Sequence, residues 1–160
     1  LLDSTVATTR RISSDLRPLV LDDLGLGAAA EWLLEGLAQR AGIAFELKID
    51  PSCAELGEPH ASTLFRVMQE SLTNVARHAR ATRVAVRLTR EGGDAVLCIV
   101  DNGVGMNADA RAKPGSFGLR GIRERVLLLG GLLSIAGDPS GGTTVSVRLP
   151  MPITASRENA

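Results

Sequence analysis

Within the stretch Leu64 to Ala79 an acid, an amide, a cation and an imidazole stand close together: Glu70, Asn74, Arg77 and His78. On a helix turning about 100° per residue they gather within roughly 100° of one another. Leu64, Met68, Leu72, Val75 and Ala79 form an apolar stripe on another side, as on a helix that faces a core. A carboxamide oxygen such as that of Asn74 suits a hard cation like Mg²⁺. A carboxylate one turn earlier can orient or deprotonate a nucleophile, and a guanidinium can reach phosphate oxygens. On this helix alone, a plain solvated face accounts for the four residues equally well.

Three glycine-rich stretches downstream change that balance: Asp101-Asn102-Gly103-Val104-Gly105, Gly115-Ser116-Phe117-Gly118-Leu119-Arg120-Gly121 and Gly141-Gly142-Thr143-Thr144. Asp101 follows an apolar run and precedes two glycines, so a flat ring can approach the backbone while the carboxylate accepts from an exocyclic amine. A simple Asp-Asn-Gly turn is the competing reading. Gly115 to Gly121 sets small residues before and within the first turn of a helix, where N–H groups can hold phosphates; a glycine-rich cap is the competing reading. No Gly-Lys-Ser/Thr occurs, so a P-loop is excluded.

The elements that must position these residues follow from periodicity. Leu2, Val6, Thr9, Ile12 or Ser13, and Leu16 recur as along one helix seam that Pro18 ends, either a dimer seam or a helix docked on the domain. Asp22 to Gly27 is expected as a connector, Ala28 to Arg40 as a helix closed by Gly42, and Ile43 to Ile49 as a strand. Pro51 to Pro59 is expected as a loop. Val84, Val86 and Leu88 alternate with polar residues, Glu91-Gly92-Gly93-Asp94 turns a hairpin, and Ala95 to Val100 makes a central strand. Asn102 to Ser116 lacks periodicity. Gly118 to Leu129 is a helix stopped by Gly130-Gly131, and two strands follow, Leu132 to Ala136 and Thr143 to Leu149. Most neighbouring strands are hairpin-linked, which predicts an α+β two-layer sandwich with helices on one face of a mixed, mostly antiparallel sheet.

Composition narrows the function. The 160 residues suit one domain with a little extra, and 18 basic residues balance 18 acidic ones, so no general attraction to nucleic acid or anionic membrane arises. Aromatic residues are only 2%, which removes base-stacking platforms. Cys53 and Cys98 lie far apart without metal-ligand spacing, and Cys98 is expected as a small buried residue, fitting a reducing compartment. No run approaches the ~20 apolar residues of a membrane span.

Glu70-x-x-x-Asn74-x-x-Arg77-His78-Ala79, Asp101-x-Gly103-x-Gly105, Gly115-x-x-Gly118-Leu119-x-Gly121 and Gly142-Thr143 resemble, in order, the nucleotide-binding boxes of the GHKL ATPase superfamily, which includes gyrase, the large heat-shock chaperone and the sensor histidine kinases. Leu16-Arg17-Pro18 with Leu24-Gly25-Leu26, and the run Gly118 to Arg125, resemble the nitrate-sensor-like subfamily of two-component histidine kinases. The resemblance implies a Bergerat-type ATP-binding fold over residues 21–150, residues 1–20 as part of a dimerisation hairpin, and 151–160 as a tail. It also implies that Asn74 holds Mg²⁺ on the ATP phosphates, Asp101 accepts the adenine amine, and Gly103 and Gly105 shape the purine pocket beside Thr143. Gly115, Gly118, Leu119 and Gly121 would close the phosphate side under a lid of residues 106–116. Arg77 stands where many relatives carry Lys, and His78 would line the site. Glu70 would act on the nucleophile. The subfamily's acceptor is a His followed by Asp on a hairpin helix, a setting that neither His60 nor His78 has, so the acceptor is expected upstream. The implied activity is protein-histidine kinase, in the cytoplasm, with a response regulator as partner and a homodimeric full-length protein. The alternative is a GHKL conformational ATPase.

Overall fold

Alternation along the strands decides which face of the sheet is covered. In the computed structural model, which describes residues 19–105, 117–138 and 141–151, helix α1 (Leu19–Ala41) is followed by strand β1 (Ala44–Ile49) and the short helix α2 (Pro51–Ala54). Helix α3 (His60–Asn74) continues as a π-helical turn (Val75–Ala79) into β2 (Arg83–Glu91) and β3 (Asp94–Asp101). Then come α4 (Phe117–Leu128), β4 (Leu132–Gly137) and β5 (Thr143–Pro150). The sheet order is β1-β2-β3-β5-β4. Only β1 and β2 are parallel, because α2 and α3 supply the crossover that a parallel pair needs. The other pairs are antiparallel.

Val84, Val86, Leu88, Leu97, Val147 and Leu149 are completely buried under the helices. Their registered neighbours match: Leu97 stands opposite Leu88 on one side and Val147 on the other. The alternate residues face outward. Cys98 is among them, only half-buried and opposite Arg87, so the expected buried cysteine is corrected. An apolar run such as Ala95 to Val100 signals a central strand, yet among the described residues helices cover one face only.

Helix α3 carries the expected stripe, with Leu64, Met68, Leu72, Val75 and Ala79 all buried. Its buried surface is wider, taking in Ala61, Phe65 and Val67, because α3 packs on α1, α4 and the sheet at once. Its first turn is tethered to the end of β5, where the His60 Nε2 proton is donated to the Pro150 carbonyl at 2.7 Å.

Two expectations fail at caps. The predicted connector Asp22 to Gly27 is helical except at Gly25, whose φ of +81° breaks the helix into two pieces while Leu26 stays buried. The predicted loop after Pro51 opens with helix α2, because Asp50 caps it by accepting from the Ser52 N–H at 2.8 Å and Pro51 suits the first helical position. The Ser52 hydroxyl and N–H hold the Asp50 carboxyl below its usual value. The cap's contribution is therefore present above the unfolded-state pKa and is lost as pH falls through the folded one. The seam from Leu2 to Leu16, the segment 106–116 with Gly115, and residues 152–160 lie outside the described residues.

The face assignment predicts unequal costs at neighbouring positions of β3. Leu97→Ala empties a fully enclosed site and should lower the unfolding free energy by about 2–5 kcal/mol. Cys98→Ser, on the open face, should change it by roughly 0.5 kcal/mol. Urea denaturation measures both, and equal losses would reverse the assignment.

Candidate functional site

Three backbone segments converge on the end of β3. Gly103 is buried, and a Cβ there would overlap the Ala79 carbonyl of the π-helical turn, so only glycine permits the approach. The next residue uses that same carbonyl, the Val104 N–H donating to Ala79 O at 2.8 Å. From the other side the Gly142 N–H donates to the Gly103 carbonyl, and Gly142 lies against the Asp101 carbonyl. Asp101 to Gly105 is thus clamped between the end of the α3 segment and the β4–β5 turn.

Asp101 is 6% exposed, a burial that is costly for a carboxylate unless it finds partners. Its Oδ1 accepts from the Gly103 N–H at 2.8 Å. Among the described residues Oδ2 has no hydrogen-bond partner. Thr143 is the registered neighbour of Asp101 on β5 and is half-buried beside it. A buried, half-satisfied carboxylate beside a tight glycine backbone can accept from one planar amine donor.

The four polar residues of the α3 segment divide. Glu70 and Asn74 are half-buried, with Asn74 Nδ2 3.5 Å from Glu70 Oε1. That orientation turns the Asn74 amide oxygen away from Glu70. Arg77 and His78 are exposed. Arg77 lines a groove of about 510 Å³ with Trp32, Arg40, Gln69 and Thr73, on the flank that α3 turns to α1. The spacing expectation of one shared face assumes an α-helix throughout. Asn74 is the last α-helical residue, and the wider turn from Val75 to Ala79 carries later residues back around the axis. Sequence periodicity gives no warning of that turn.

Helix α4 closes the other flank. A Cβ on Gly118 would overlap the Glu70 carboxylate, so the first turn of α4 rests on that side chain, with an acid at a positive helix end. Leu119 is half-buried against the core and Gly121 lies one turn into α4. Gly118, Leu119 and Glu70 are therefore brought together, with Asn74 beside them. No group of three His, Cys, Asp or Glu side chains able to hold a metal exists among the described residues. The oxygen-bearing side chains at this point are Glu70 and Asn74. Sequence reasoning assigned no role to Asn102, whose side chain binds the chain just after the π-helical turn, or to the Ala79 carbonyl; an amide next to Asp101 was the available signal.

Residues 60–153 match the family described as histidine kinase-, DNA gyrase B- and HSP90-like ATPase. The sensor histidine kinase MctS of Rhizobium johnstonii is 42% identical over 153 residues, covering 93% of this chain and 32% of that protein. NarS, a sensor histidine kinase of Mycobacterium tuberculosis, is 37% identical over 94% of this chain and 35% of its own length. The chain thus spans only about a third of these relatives. Among solved structures, the histidine kinase AdeS of Acinetobacter baumannii superposes with a TM-score of 0.71 at 15% identity, over 94% of this chain and 81% of that one. The histidine kinase domain of the Erythrobacter litoralis EL346 blue-light activated kinase gives 0.65 at 23% identity, over 79% and 61%. At such identities these two structures speak for the fold, and the fold is the GHKL α+β sandwich. The chain belongs to the histidine kinase-, DNA gyrase B- and HSP90-like ATPase family, as an ATP-binding catalytic domain of the sensor histidine kinase type.

Proposed function

We propose that this domain binds Mg-ATP and transfers the γ-phosphoryl group to a histidine on a separate segment, for relay to a response regulator. The observation that carries the reading is the buried Asp101 carboxylate, with one oxygen committed to the Gly103 N–H and the other available to an amine. Adenine offers that amine; guanine presents a carbonyl there, which a carboxylate repels. Gly103 and Gly105 admit the flat base against the backbone, with Thr143 at its side.

The phosphate end falls between α3 and α4. The Asn74 Nδ2 faces Glu70, which leaves the amide oxygen as a hard ligand of the kind Mg²⁺ takes alongside phosphates and waters. When bound, Mg²⁺ would neutralise charge on the phosphates. Gly118, Leu119 and Gly121 set the first turn of α4 towards the same region, and exposed His78 would add an imidazole donor at the rim, whereas Arg77 lies in the groove on the α1 flank and is left out of the phosphate contacts. Glu70 is the carboxylate placed to orient or deprotonate the attacking imidazole. That imidazole forms an N–P bond as the bond to the bridging oxygen breaks, and ADP leaves with the electron pair. His60 is not the acceptor, being 8% exposed and bonded to β5. His78 rides on the same helical segment as Asn74 and cannot come into line with the leaving oxygen.

Asp101→Asn opposes the adenine amine with a donor and should weaken ATP binding by about 1.5–3 kcal/mol, roughly ten- to a hundredfold. Titration calorimetry measures this, and unchanged affinity removes the purine assignment. Asn74→Ala should reduce phosphoryl transfer to an added acceptor helix more than it reduces binding, since positioning and charge neutralisation dominate that step; normal transfer refutes the ligand role. Incubated alone with γ-labelled ATP, the domain should take up no acid-labile label. Label that disappears in His60→Gln or His78→Gln would overturn the separate acceptor. Gly118→Ala needs only the flexible end of Glu70 to move aside, so the stability measured by thermal unfolding should change by less than about 1 kcal/mol while the carboxylate is displaced from Asn74. A larger loss of stability would show that the Glu70 side chain is held rigidly.

A further inference from the structure

The Asn102 side chain is exposed, yet its bonding is nearly complete. Its Oδ1 accepts from the Thr82 N–H and from the Arg83 N–H, each at 2.9 Å, and its Nδ2 donates to Thr82 Oγ1 at 2.9 Å. Both lone-pair directions of the amide oxygen are used. Beyond the Val84–Asp101 pair the Asn102 N–H donates to the Arg83 carbonyl at 3.2 Å, and the Asn102 side chain adds one more rung by taking the Thr82 and Arg83 N–H groups. The rung falls where the chain turns from helix to sheet. Between the π-helical turn and Thr82 lies Arg80 at φ +52°, a conformation uncommon for a side-chain-bearing residue and held only where surrounding bonds fix it.

We infer that Asn102 is a positioning residue that fixes the distance between the purine carboxylate and the metal-binding end of α3. Asp101 is its immediate neighbour; Asn74 is joined to Thr82 through the π-helical turn. The Val104 N–H to Ala79 bond makes a second tie on the same turn. With both ties closed, the Asp101 and Asn74 ends of the site form one rigid frame. With the Asn102 side chain removed, the Thr82 and Arg83 carbonyls keep their bonds from the Ala44 and Asn102 N–H groups, but the Thr82 and Arg83 N–H groups lose their acceptor. The segment loosens, and each end can still take its own part of a ligand, but not both in register. A nucleotide that spans the two ends depends on the rung, whereas a nucleoside that reaches only Asp101 does not. The inference rests on the ATP-binding reading above.

The test compares Mg-ATP with adenosine on wild type, Asn102→Ala and Asn102→Asp by titration. Asn102→Ala should lower Mg-ATP affinity roughly tenfold, within the range of coupling between linked sites, and leave adenosine nearly unchanged. Asn102→Asp keeps an acceptor for both N–H groups and should recover most of the loss. Equal weakening of both ligands would mean a merely structural role, and no weakening would mean no role; either overturns the inference. Amide hydrogen exchange on the nucleotide-free protein examines the rung by itself: Thr82 and Arg83 should exchange faster in Asn102→Ala and be protected again in Asn102→Asp. Unchanged exchange refutes the rung. Should Asn102→Ala fail to fold, Asn102→Gln, which moves the amide outward by one methylene, replaces it with the same expectations. Wild type that binds neither ligand while showing the exchange pattern would instead refute the ATP-binding reading and leave the rung as structure alone.

Discussion

The Gly103 contact with the Ala79 carbonyl is the constraint on which the rest of the site depends. It brings the end of the central strand against the end of the central helix, with no side chain between them. Backbone groups that meet this closely must be paired, and they are: Ala79 O accepts from the Val104 N–H, and Gly103 O from the Gly142 N–H. Any side chain at residue 103 would part α3 from β3 and separate the groups that the fold brings together.

The two ends of the site are built from different materials. The Asp101 end is a strand terminus and two glycine turns, cross-braced by backbone bonds around a buried carboxylate, which suits recognition of one rigid planar group. The Asn74 end is made of helix termini and long side chains, with Glu70 lying between Asn74 and Gly118. Its bonds are longer and its residues more exposed, which suits groups that carry charge and leave during a reaction. On the function proposed above, a rigid end would select and a softer end would react, a division that the physics of strands and helix ends makes easy.

Packing sets the frame on which both ends rest. Helix α3 is wedged among α1, α4 and the sheet, and its first turn is tied to β5 through His60 and Pro150. The parallel pairing of β1 with β2 closes the crossover that contains α3, so the helix is held at both ends of its path. The open face of the sheet, with Arg87 against Glu46 and Cys98 half-buried, takes no part in the site.

Much of this was legible in the chain itself. Alternation at Val84, Val86 and Leu88, the stripe from Leu64 to Ala79, and the Gly92-Gly93 and Gly130-Gly131 stops are local patterns with period two or three to four, or backbone requirements of single residues. They located α4 and the hairpin turn within a residue or so, and found β2 and α3 without their full extent, since β2 runs on to Glu91 and α3 begins at His60. The order of the acid, amide and glycine boxes pointed to the site proposed above for the same reason: each needs its residue type wherever the fold places it. What the chain could not disclose were outcomes of contact between distant segments. Whether Cys98 faces helices or solvent depends on how many layers cover the sheet. Whether Asp22 to Leu26 is coil or helix depends on Leu26 finding the core around a break at Gly25. Whether Arg77 joins Glu70 depends on a π-helical turn that ends where Ala79 packs against Gly103. Periodicity records which residues seek burial; tertiary structure alone decides what they are buried against and how far the backbone bends to reach it.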